Sequence, residues 1–175
     1  MKKIIFPFFM IISLFGITKN DIYKLYNQKN YKLTCTKGTW LVKNHKTDDE
    51  YLSVVALSCL KVDMLNTAMR ISKVMNNSAM GRENASYIAS LYLIKKLLLQ
   101  LIWDKIDISN LSLPKADHFL SVIFENIAHN NFSKVDNSYV VKHDNKRYVL
   151  SPLKPNKIKI SIYKNNKLLS THIYW

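Results

Sequence analysis

The chain has 175 residues, 48% of them apolar and 11% aromatic, which excludes a disordered polymer and leaves room for one domain with a sizeable core. Its formal net charge of +14 favours anionic partners by long-range attraction, although 23 lysines against 3 arginines also reflect a biased residue usage. Two cysteines without C-x-x-C spacing exclude a redox dithiol and a four-ligand zinc site.

The first element reads as a targeting segment. Lys2 and Lys3 precede an apolar run from Ile4 to Ile17, and polar residues follow. That arrangement is typical of a secretory signal, and the run is too short to be a comfortable transmembrane span. Residues 1–18 are therefore expected to be a signal peptide. Gly16 and Thr18 make a poor cleavage site, so the alternative is an uncut anchor holding the chain to the inner membrane through residues 4–17. Either way the remainder is expected outside the cytoplasm, most simply in the periplasm. Export moves the expected partner away from nucleic acid and toward anionic lipid, envelope polymer or a protein.

Residues 19–134 read as helical. Ile22, Leu25 and Tyr26 share one helical face, and Asn20 or Asp21 can cap its start. The stretch from Tyr31 to Lys43 is ambiguous: Thr, Trp and Val around a Thr36-Lys37-Gly38 turn suit a hairpin, while Cys35 and Thr39 would share one side of a helix. Next, Thr47 or Asp48 caps a helix with early acids and a stripe of Leu52, Val55, Ala56, Cys59 and Leu60. A second helix is expected from about Asp63 through Ala68, Ile71 and Met75 to Asn76-Asn77. Two such helices joined by a short turn form an antiparallel hairpin.

Leu52, Val55, Ala56, Cys59, Ala68 and Ser72 recur 33 residues earlier as Lys19, Ile22, Tyr23, Tyr26, Cys35 and Thr39. This spacing resembles the tetratricopeptide repeat, whose small-residue positions let paired helices approach closely. The resemblance covers about residues 19–76 and departs from the family at Lys19, Tyr23 and Ser72 and in lacking the closing proline. It implies stacked helical hairpins, and it favours a helix over Tyr31–Lys43. It also places Cys35 and Cys59 on neighbouring helices. An even cysteine count in an oxidising compartment favours a Cys35–Cys59 disulfide, the alternative being two small core residues.

A long helix follows from Glu83 to about Ile106, apolar on nearly every side and hence central. Lys95-Lys96 interrupts it, which argues against a membrane span. Pro114 opens a further helix over 115–129. From 135 the period changes to two, with hairpins around Asp144-Asn145 and Asn165-Asn166. In 157–164 the alternation points Ile158, Ile160 and Ile162 to a core and leaves Lys157, Lys159, Ser161 and Tyr163 on the other face. The expected architecture is α+β: stacked antiparallel helical hairpins, a long central helix, and a small C-terminal antiparallel sheet of about four strands over 135–175.

No catalytic residue is expected. Four Ser-x-x-Lys pairs (Ser58/Lys61, Ser112/Lys115, Ser151/Lys154, Ser161/Lys164) resemble the nucleophile motif of exported acyl-enzymes, but its companion motifs are missing. Glu125 and His129 sit one helical turn apart, too few ligands for a metal site, with His118 too far along the helix to join them. No cofactor or metal is expected. The leading expectation is an exported, non-catalytic binding or scaffold protein with a helical surface for a peptide or protein. The alternative is an electrostatic binder of anionic lipid or envelope polymer through Lys142, Lys146, Lys157, Lys159, Lys164 and Lys167 on the C-terminal hairpins.

Overall fold

The computed structural model describes residues 16–175, so the expected signal over 1–18 lies outside the described residues up to position 15. Thr18 opens helix α1 (Lys19–Asn27): its hydroxyl accepts the Asp21 N–H while the Asp21 carboxylate accepts the Thr18 N–H. Two orphan donors are satisfied reciprocally. Helix α2 spans Tyr31–Leu41 with Asn30 as its cap, so the ambiguous stretch is a helix, finished by a single 3-10 turn over Val42–Asn44. Helices α3 (Asp49–Lys61, capped by Asp48) and α4 (Leu65–Ser72) form the second hairpin. The pairs pack in sequence, α1 on α2, α2 on α3, α3 on α4, and α4 on the long helix α5 (Ala79–Trp103).

Three local devices fix this stack. Cys35 on α2 and Cys59 on α3 are joined in a disulfide, their Cα atoms 4.8 Å apart. Gly38 lets the same two helices approach: a Cβ there would lie 2.6 Å from Val55 Cγ2, and the Gly38 carbonyl accepts the buried Tyr51 hydroxyl at 2.7 Å. The third device is Asp49, only 5% exposed, whose carboxylate accepts bonds from the Ser78 N–H (2.6 Å), the Ser78 hydroxyl (2.9 Å) and the Asn77 amide (3.2 Å). Ser78 in turn caps α5, so the helix begins at Ala79 rather than at Glu83.

Helix α5 is long and apolar enough to cross a membrane by length and composition alone. In the fold it is the central helix: Ile88, Leu91, Ile94, Leu98 and Ile102 are buried by contacts with α3, α4, α6 and the sheet. Helix α6 is shorter than expected, Phe119–Ala128, because His118 sits outside it as the cap, its Nδ1 accepting the Leu120 N–H. Pro114 therefore lies in the preceding loop.

Strands β1 (Ser133–Val135), β2 (Ser138–His143), β3 (Lys146–Leu153), β4 (Lys157–Lys164) and β5 (Lys167–Tyr174) form one antiparallel meander in sequence order. It has one strand more than expected, the three-residue β1. Asp144, Asn165 and Asn166 adopt positive φ at the hairpin turns, where short Asx side chains tolerate the left-handed region. Ile158, Ile160 and Ile162 face the helices beside Tyr148, Leu150 and Tyr174, and all are buried. Ser161 departs from the expected wet face: it is 7% exposed, between Val149 and Thr171 in the sheet. The Trp103 indole donates to the Lys157 carbonyl at 3.0 Å, tying α5 to β4.

Candidate functional site

Antiparallel register decides which side chains meet across a sheet, and here it gathers cations. At the end of the sheet that carries the β2–β3 and β4–β5 turns, His143, Lys146, Lys164 and Lys167 stand opposite one another on four successive strands. The adjoining row is Lys142, Arg147, Tyr163 and Leu168, with the Arg147 guanidinium 4.4 Å from the Tyr163 ring centre. The nearest acid in sequence is Asp144, in the turn, whose carboxylate lies 3.7 Å from His143 Nε2. Like charges directly opposite each other destabilise a sheet. Of the six lysines expected to form one basic face, Lys142, Lys146, Lys164 and Lys167 meet at this end. Lys157 lies at the far end of β4 over the Trp175 ring, and Lys159 stands between Ser151 and Ile173.

A second surface lies on the helices. Trp40 is 77% exposed at the end of α2, beside a cleft of about 540 Å³ lined also by Thr39, Val42, Lys43, Arg70 and Ile71. The cleft thus runs between the second helices of the two hairpins.

A third cluster joins the sheet to the helices. Asp63, in the turn between α3 and α4, adopts φ 62° and directs its carboxylate at β5. It accepts the Tyr174 hydroxyl at 2.7 Å and lies 2.9 Å from His172 Nδ1. A carboxylate only accepts, so Nδ1 carries the proton and, in the neutral ring, Nε2 accepts the Ser170 hydroxyl at 3.0 Å. Phe119 stacks against His172, 4.4 Å between ring centres, and the group borders an open cleft of about 640 Å³ under the N-terminus of α6. Burial holds the His118 imidazole at the cleft wall down to a pKa of about 4, so that ring is neutral at physiological pH. Burial, then the adjacent Asp63 carboxylate, raises the Tyr174 phenol and keeps it a donor. Hydroxyl, imidazole and carboxylate stand in the order of a serine nucleophile relay, but the carboxylate is shared with Tyr174 and the three partners of Asp63's network come from alternate positions of one strand. The arrangement fastens β5 to the α3–α4 turn.

Lys95 makes the other long-range tie. It is 1% exposed, and its ammonium donates to the Asn66 side-chain oxygen and to the Trp175 carbonyl at 2.9 Å, 4.4 Å from the Tyr92 ring centre. Burial, with a smaller contribution from Lys96, pulls its pKa down to about 8.

Of the Ser-x-x-Lys serines, Ser58 donates its hydroxyl to the Val54 carbonyl, Ser151 bonds Ser138, Ser161 is buried on a strand and Ser112 lies exposed in the loop before α6. Glu125 pairs with Lys115 at 3.5 Å, while the His129 ring lies 2.8 Å from the Glu125 carbonyl. Among the described residues no group of three metal-ligating side chains converges. The His172 cluster was not visible in the sequence, because Asp63 is 109 residues away and the only local signal is the alternation of Ser170, His172 and Tyr174. No family model, no curated protein and no solved structure matches the chain.

Proposed function

We propose that the protein is an exported binding protein of the bacterial envelope that engages a protein or peptide partner through its stacked, tetratricopeptide-like helical hairpins. The observation that carries this reading is Trp40: a tryptophan left 77% exposed over an apolar cleft, with Arg70 on the facing helix. Tryptophan and arginine are the residues most enriched among those that dominate binding energy, and they act by filling or flanking desolvated pockets. The scaffold beneath the cleft is held rigid by the disulfide and by the Gly38 contact, so little ordering would accompany binding. The disulfide also supports an oxidising compartment, in line with the signal-like N-terminus.

The test is capture of partners from the intact envelope by the full chain, compared with Trp40→Ala. A partner retained at high salt by the wild type and lost by the variant, with both proteins melting at the same temperature, is the expected result. The same partners on both proteins would refute the site.

A further inference from the structure

We propose that the turn-bearing end of the sheet is a docking surface for an anionic lipid bilayer, an interaction separate from the Trp40 cleft. Two independent features coincide there. The first is charge: Lys146, Lys164 and Lys167 stand directly opposite one another on the helix-side face of the sheet end, Lys142 and Arg147 stand on the other face, and Asp144 is the one acid in the two turns. Neighbouring strands bring these cations together against their mutual repulsion; Asp117 lines the same cleft as Lys146, but among the described residues no salt bridge forms to Lys146, Lys164 or Lys167, so an external anion would relieve the repulsion. The second is apolar. The register between β4 and β5 slips after Ile162, so that Leu168 and Leu169 together face the single residue Tyr163. In a regular strand one of two successive residues would turn toward the core. At this bulge both leucines are left half exposed, 51% and 53%, immediately after Lys167.

Lys142 and Arg147 share the face of Tyr163 and Leu168, while the lysine row edges the helix-side face. An end-on approach of the two hairpin tips would bring cations from both faces and the exposed leucines to a bilayer together, a better match than a soluble polymer. Head groups meet the lysines, while the leucines enter the boundary between head groups and acyl chains. A soluble polyanion would give the lysines a partner and leave the leucines in water. The surface is formed by the exposed turns of two hairpins, so contact with a bilayer needs no rearrangement of the core.

The experiment is co-sedimentation of the full chain with vesicles of phosphatidylcholine alone or with about 30% phosphatidylglycerol, at several salt concentrations. Three double variants are compared: Lys146→Gln with Lys164→Gln, Leu168→Ser with Leu169→Ser, and Lys32→Gln with Lys37→Gln. The last removes the same charge from exposed positions on α2 and controls for net charge and for any contribution of the N-terminal apolar run. Losing two surface lysines at an anionic membrane is expected to weaken binding about 25-fold at low salt, with the difference shrinking as salt rises. The leucine variant is expected to weaken binding to vesicles while leaving binding to soluble polyphosphate unchanged. The α2 variant is expected to bind as the wild type. Equal binding by the wild type and the Lys146/Lys164 variant overturns the proposal, as does equal weakening by the α2 control. Vesicle binding indifferent to the leucines, alongside tight polyphosphate binding, would assign the surface to a soluble polyanion instead. None of these outcomes involves a protein partner, so they leave the Trp40 reading to its own test.

Discussion

The two halves of the molecule treat charge in opposite ways. In the helical half, buried or half-buried charges have partners: Lys19 pairs with Asp48, and Asp49 receives three hydrogen bonds from the Asn77-Ser78 turn. At the turn end of the sheet, cations face cations across the strands. The first pattern specifies a fold, because each partnered charge fixes how two elements meet. The second adds no ion pair to the fold, and under the proposal above its complement lies outside the chain. Breaking interactions in each half should therefore have opposite consequences, stability lost in the helices and stability gained in the sheet.

The largest loss is expected from opening the disulfide. Its loop spans 24 residues, for which the chain-entropy account gives about 3 kcal/mol. Denaturant unfolding of Cys35→Ser/Cys59→Ser should show a stability lower by about that amount. An unchanged midpoint would mean that packing around Ile22, Val55 and Ala68 alone specifies the stack.

Next comes the carboxylate that organises the start of α5. Replacing Asp49 by Ala leaves the Ser78 N–H and the Asn77 amide without their buried acceptor, a cost of about 2 kcal/mol. Gly81 is coupled to it, because a Cβ there would lie 2.1 Å from the Asp49 carboxylate. Gly81→Ala should therefore destabilise the wild type, and should do so less in the Asp49→Ala background, where the carboxylate contact is gone but the residue-49 Cβ would still lie 2.8 Å from the new one. Additive effects in a double-mutant cycle would show that the contact relaxes freely. The carboxyl has a pKa below the usual range: burial pushes it up, but the bonds from Ser78 and Asn77 outweigh that. Its contribution is thus present above the ordinary carboxylate pKa and is lost as pH falls through the lower, folded value.

Lys95 stands between the two halves, on the central helix but bonded to the last residue of the sheet region. Its folded pKa of about 8 lies below the ordinary 10.5, so between those values the unfolded chain binds more protons. Stability from this group therefore rises with pH across that window, and its cost is fully present below about pH 8. Relative to Lys95→Met, the wild type should gain about 2 kcal/mol between pH 8 and pH 10. A difference independent of pH would mean that Asn66 and the Trp175 carbonyl compensate the buried ammonium fully.

How much of this was legible in the sequence follows the same division. Caps and small-residue slots are local, so the hairpins could be read from Asp48, Ala56 and Ala68. The helix over Tyr31–Leu41 emerged only from its spacing to the second pair, because Gly38 and three threonines favour strand or turn. The structure supplies the reason for that glycine in the approach of Val55. Lys95 read as a polar interruption of an apolar helix, and its burial depends on Asn66 and Trp175, which no local pattern reveals. The basic residues of the hairpins were visible, but not their sorting. Register brought four of the six lysines to one end, and a bulge that alternation does not foretell exposed the leucines beside them.

The smallest effect bears most directly on the contrast between the halves. Lys164 stands between Lys146 and Lys167, so Lys164→Glu replaces two like-charge oppositions with two favourable ones. The sheet should gain about 0.5 kcal/mol at low salt, and the gain should fade as salt screens these exposed charges. The same substitution should weaken binding to phosphatidylglycerol vesicles by more than neutralising the residue does, because it places a negative charge against the head groups. A variant that is more stable yet binds less would show that the lysine row is retained for its external partner. If Lys164→Glu leaves both stability and vesicle binding unchanged, the cations are far enough apart in solution to ignore one another, and charge no longer distinguishes the two halves.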